Sequence, residues 1–165
     1  MPGKTSALLV ETGEVDRCME QATATVLETM FFTSVDDTAT GLHPEWRHDS
    51  PSWIRMRIEF DGALAGDCHL QIERAAARAL ACTLLCLDPE ELREEQAGQV
   101  AGELTNMICG SLLSQLRPDG DLTLGAPETI EDASVKRLPG VVSRWFEIPE
   151  GSLAVDFRLS NQQAV

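Results

Sequence analysis

Two side chains, Glu103 and Asn106, stand three positions apart within the stretch Gly102-Glu103-Leu104-Thr105-Asn106-Met107-Ile108-Cys109-Gly110. A carboxylate beside a carboxamide has chemical use. The carboxamide donates and accepts hydrogen bonds at once without ionising, so it can hold a water in one orientation. The carboxylate can serve as a base or anchor a cation. Their placement follows from the residues around them. Ala97, Val100, Ala101, Leu104, Met107, Ile108, Leu112 and Leu116 recur near the 3.6-residue period of a helix with one buried side. Glu103 and Asn106 are then neighbours on the other side. Gln99 and Gly110 share that outward stripe, and Gly102 and Cys109 border it. Each of the two glycines costs about 1 kcal/mol of helix propensity against alanine. In return they leave room for another surface to approach the backbone. On pattern alone, an exposed Glu and Asn are more often plain solvated surface.

The elements that must position this helix are legible around it. Val15, Met19, Ala22, Val26 and Met30 carry a helix period, giving a first helix over about residues 14 to 32, with Glu14 and Asp16 at its positive N-terminal end. Residues 33 to 52, with Asp36-Asp37, Gly41, Pro44 and Pro51, read as a long loop. Ile54, Met56, Ile58 and Phe60 alternate with Arg55, Arg57 and Glu59, Asp61-Gly62 signals a hairpin, and Leu64, Gly66, Cys68, Leu70 and Ile72 continue in a second strand. Arg74 to Cys86 reads as a helix. Asp88, Pro89 and Glu91 form an N-cap, a first-turn proline and a capping box, so the motif helix is expected over 89 to 116, ended by Pro118-Asp119-Gly120. Strands are expected at 121 to 130, 141 to 148 and 152 to 160, the last two joined by a turn at Pro149-Glu150-Gly151. Helix then strands, twice over, gives an α+β domain with long helices packed on one face of a mostly antiparallel sheet.

The motif resembles the signature of the CheC/CheX chemotaxis phosphatases, Gly-Glu-x-x-Asn-Met-x-x-Gly on a long helix. Val26-Leu27-Glu28-Thr29-Met30 resembles the end of that family's first helix, and Leu122 to Ile130 the strand after the motif helix. The likeness runs over residues 14 to 160 and is strongest from 98 to 130. It implies a degenerate internal duplication. Some members carry Glu-x-x-Asn on both long helices, whereas helix one here offers Glu20-Gln21-Ala22-Thr23 and Glu28-Thr29-Met30-Phe31, neither with asparagine. A single site is the pattern of the CheX branch, which implies a homodimer joined by strand pairing. The resemblance implies a substrate too: the aspartyl-phosphate of a phosphorylated CheY-like response regulator. Asn106 would orient the attacking water and Glu103 would bond the regulator's active-site lysine, with Gln99, Gly102 and Gly110 meeting the partner. The chain would need no cofactor of its own, Mg²⁺ coming with the regulator. A module that docks on the regulator without hydrolysing anything is the alternative.

Composition bounds the rest. At 165 residues the chain reads as one domain, with residues 1 to 13 as an N-terminal extension. A formal charge of −14 argues against nucleic acid and anionic membrane as partners, because both need a cationic face. No run of 18 apolar residues is present, and the Ala7 to Val10 run is too short for a signal peptide, so a cytoplasmic location is expected. Five cysteines without a Cys-x-x-Cys pair read as reduced thiols. His43, His48 and His69 suggest no metal site, His69 standing on the polar side of its strand.

Overall fold

The computed structural model describes residues 10–42, 52–131 and 140–160. Helix α1 spans Thr12–Phe31, followed by β1 (Asp37–Thr40), β2 (Trp53–Gly62), β3 (Gly66–Glu73) and α2 (Arg74–Leu85). A 3₁₀ turn at Pro89–Glu91 leads to α3 (Glu94–Leu116), β4 (Leu122–Leu124), β5 (Glu128–Thr129), β6 (Val141–Ile148) and β7 (Gly151–Leu159). The strands form one antiparallel sheet in the order β1-β6-β7-β3-β2-β4, with β5 also on β2. The inward residues of β2, Ile54, Met56, Ile58 and Phe60, join Leu70, Ile72, Leu153, Val155 and Phe157 in one apolar core beneath all three helices.

The sheet order is symmetric. Exchanging β1 with β4, β2 with β6 and β3 with β7 leaves it unchanged, so each half lends its first strand to the flank of the other. The helices repeat the relation. The buried residues Val15, Cys18, Met19, Ala22, Thr23, Val26 and Leu27 of α1 fall in step with Ala101, Leu104, Thr105, Ile108, Cys109, Leu112 and Leu113 of α3. The internal duplication implied by the resemblance is therefore a property of the topology.

Three expectations are corrected. The loop over 33 to 52 contains β1, whose four residues pair with Arg144 to Glu147 of β6; residues 43 to 51, with His43 and His48, lie outside the described residues. The helix expected from 89 is broken at Leu92. The Asp88–Glu91 capping box forms but caps only the 3₁₀ turn. Leu92 is extended and buries its side chain (8% exposed), and α3 starts afresh behind Arg93, whose backbone N–H donates to Gln96 Oε1 at 2.7 Å. The strand expected over 121 to 130 is two pieces, because Gly125 N–H turns in to Glu59 O at 2.8 Å and Pro127 has no N–H for a ladder. Residues 1–9 of the N-terminal extension lie outside the described residues.

Candidate functional site

Helix α3 presents the motif as its period requires. Leu104 and Ile108 are buried beneath it at 1% exposure each, worth about 1.5–3 kcal/mol apiece in burial. Glu103 and Gln99 are exposed, and Asn106 and Gly110 are half-buried on the same stripe. Thr105, on the buried side, donates its hydroxyl to Ala101 O at 2.7 Å. Cys109, completely buried, neighbours Cys68 beneath the helix; that neighbour and burial together push the Cys68 thiol up. These cysteines are packing groups. Among the described residues, Glu103 and Asn106 form no hydrogen bond or ion pair, so both heads are free to meet a partner.

The two motif glycines differ. Gly102 is buried, and a Cβ there would lie 3.3 Å from Met56 Cε and 3.5 Å from Pro127 Cβ. The room it makes is taken by the chain's own β2 and the β4–β5 turn. Gly110 stands nearer the surface, with Leu124 Cδ1 3.5 Å from such a Cβ. Leu124 and Pro127 thus fix the motif helix from one flank. Sequence reading missed this role for both, although Pro127 was the one signal that the strand must break there.

Beside Glu103 runs a groove of about 490 Å³ between α3 and β5, lined by Met56, Glu95, Gly98, Gln99, Pro127 and Thr129 together with Gly102 and Glu103. At the matching place on α1 a groove of about 530 Å³ is also present, but its carboxylate is already paired from within the chain. Under the helix correspondence, Asp16 stands where α3 has Gly102, Arg17 where it has Glu103, and Glu20 where it has Asn106. Asp16 accepts from Arg144 Nε at 3.0 Å and Nη2 at 2.8 Å, and from Thr40 Oγ1 at 3.1 Å. The Arg144 hydrogen bond outweighs burial and holds the Asp16 carboxyl below the usual carboxylate range. Glu20 also reaches Arg144, at 3.5 Å. The first helix has no free carboxylate–carboxamide pair, and its charges serve to tie α1 to β6.

A family model described as chemotaxis phosphatase CheX matches residues 54–145, more than half of the chain. The chain belongs to the CheX family. Among solved structures its fold is similar to the CheX of the CheX-CheY-BeF3-Mg²⁺ complex from Borrelia burgdorferi, with a TM-score of 0.65 at 16% identity, covering 88% of this chain and 97% of that one. It is similar to the chemotaxis protein CheX from Vibrio vulnificus, with a TM-score of 0.69 at 18% identity over 90% and 98% of the two chains. Thermotoga maritima FliY gives a TM-score of 0.58 at 17% identity over 96% and 92%. No curated protein matches the sequence. None of the described helices is long and apolar enough to cross a membrane.

The face of the sheet away from the helices carries charge that the alternation of β3 and β7 did not foretell as buried. His69 stands on the polar side of β3, as its alternation predicts, yet is only 4% exposed. Its Nε2 lies 3.4 Å from Asp67 Oδ2, while Arg158 grips both oxygens of Asp67 at 3.2 and 3.1 Å. Burial alone would raise the Asp67 carboxyl, but His69 and Arg158 prevail and bring it down from 3.8 to about 2. The His69 contact is long, so the two-pronged Arg158 pair is the firmer support.

Proposed function

We propose that this chain hydrolyses the aspartyl-phosphate of a CheY-like response regulator, with Glu103 and Asn106 as the groups it contributes. The observation that carries the reading is the pair itself: a carboxamide and a carboxylate one helical turn apart on the outward stripe of a rigid helix, the carboxylate exposed and the carboxamide half-buried, both unpaired among the described residues. Membership of a family described as chemotaxis phosphatases supports it, as does a structural relative that is a complex of a CheX with a CheY.

In this reading the regulator carries the phosphoryl group and its Mg²⁺. The bound cation stabilises the phosphoryl charge. Asn106 enters beside the acyl phosphate and fixes a water opposite the aspartyl oxygen. The water oxygen bonds to phosphorus, the phosphorus–aspartyl oxygen bond breaks, and free aspartate and inorganic phosphate result. Such a step asks for positioning more than for covalent help, and positioning can supply several kcal/mol of barrier reduction, up to about 7–11 in ideal cases. Glu103 holds the regulator's lysine and sets the angle of entry. Its exposed place on the outward stripe, free of any partner among the described residues, suits anchoring a cation.

The test is phosphate release. Candidate regulators are phosphorylated with a small phosphodonor and their dephosphorylation is followed with and without this protein. Catalytic acceleration on at least one regulator is expected; acceleration on none contradicts the reading.

A further inference from the structure

We infer that the groove between α3 and β5 is a specificity site that takes a second basic side chain of the regulator, distinct from the lysine assigned to Glu103. The inference rests on the phosphatase reading and deepens it. Three features of the groove point to such an occupant.

The first is charge. Glu95, Gln99 and Glu103 stand on successive turns of α3, so the row opens into the groove from the motif itself. No lysine or arginine lines the groove. Glu95 meets Arg93 at 3.5 Å, but both side chains are more than half exposed, and such a pair holds Glu95 weakly. A protein of formal charge −14 attracts a cationic partner generally, and here Glu95 is the groove's carboxylate left for a second cation once Glu103 holds the lysine.

The second is shape. A Cβ at Gly98 would meet nothing within 4 Å, so the helix backbone is open to approach there. Met56 and Pro127 provide an apolar wall opposite. A lysine or arginine joins a long apolar stem to a charged head, and so fits a trough with an apolar wall and carboxylates along its row.

The third is the comparison within the molecule. The fold builds a groove at the corresponding place on α1, lined by Thr12, Gly13, Asp16, Thr40 and Gly41 with Val142. There Arg144 occupies the carboxylate from inside. At this groove the fold already sets a guanidinium against a carboxylate, both supplied by the chain itself.

The test uses the full-length protein and the regulator that phosphate release selects, activated with beryllium fluoride and Mg²⁺. Gly98→Trp puts bulk into the groove from a position where a Cβ meets nothing within 4 Å, Glu95→Gln removes the groove's outer charge, and Glu95→Lys reverses it. Thr83→Trp, on the exposed face of α2, adds the same bulk elsewhere. Gly98→Trp should weaken binding about tenfold or more. Glu95→Gln should weaken it several-fold and Glu95→Lys further, with the loss appearing in KM more than in kcat. Thr83→Trp should bind as wild type does, and all four should melt cooperatively. If wild-type protein accelerates dephosphorylation while Gly98→Trp and Glu95→Lys bind as tightly as wild type, the groove proposal is overturned and the phosphatase reading stands. If wild-type protein neither binds nor dephosphorylates any regulator, both fall together.

Discussion

At position 106 the chain uses a carboxamide, which has one protonation state across the physiological range and two kinds of hydrogen-bonding atom. At 103 it uses a carboxylate three residues away, long enough to reach past its own helix. Their roles separate by experiment. Glu103→Ala should weaken association with an activated regulator about tenfold, and added salt should reproduce part of that loss in the wild type. Glu103→Asp should recover little, because one methylene less leaves the carboxylate short of the same cation. Titration calorimetry at two ionic strengths checks both. The buried ionic group on the other side of the sheet makes a different prediction. The Asp67 carboxyl falls from 3.8 to about 2 on folding. Its contribution, on the order of 2 kcal/mol, is therefore fully present above about pH 4 and is lost as the pH falls towards 2. Denaturant unfolding of wild type and Asp67→Asn should show a gap of about that size at pH 6 and a much smaller one near pH 2.

Among the elements, α3 is held by what it lacks as much as by what it buries. Gly98→Ala should stabilise the protein by up to about 1 kcal/mol, since alanine gains helix propensity and nothing stands in its way. Gly102→Leu should cost about 1–3 kcal/mol, because Met56 and Pro127 already fill that space, and it should lower turnover by tilting the motif. Thermal melts paired with phosphate release distinguish the two sites. The elements also mark how far the sequence can be read. The phase of α3 was legible from Val100, Leu104 and Ile108, whose burial one period dictates. The β2–β3 hairpin was legible from its alternation. The strand β1 was not, since Asp37 to Thr40 carries no apolar pattern and owes its form to β6, more than a hundred residues away. The break at Leu92 was hidden too: Pro89 and Glu91 form their capping box, but it caps only a 3₁₀ turn, and the pull of Leu92 into the core that delays α3 to Glu94 is a tertiary effect. The burial of His69 was not legible from its place on the polar side of β3, because alternation reports polarity and not cover.

For the whole molecule, the symmetric sheet order makes the two halves structural equivalents with unequal chemistry. One half spends its helix face on an internal arginine clamp, and the other leaves a carboxylate and a carboxamide outward. On the proposed reading each chain has one working face. The sheet ends on β1 at one side and on β4 and β5 at the other, and open edges of this kind invite strand pairing. We expect a homodimer joined through such an edge, with a mass of about 36 kDa by light scattering, twice the 18.0 kDa of the chain. A steady 18.0 kDa at high micromolar concentration would count against it.

The most direct measurement is the rate of phosphate release from a phosphorylated regulator by Asn106→Ala, taken together with its affinity for the same regulator activated by beryllium fluoride. If Asn106 orients the attacking water, affinity should remain within a few-fold of wild type while kcat falls by about a hundredfold or more, a loss confined to the transition state. Release by Asn106→Ala at the wild-type rate, with affinity intact, would contradict the account and leave Glu103 and its helix as a docking surface alone.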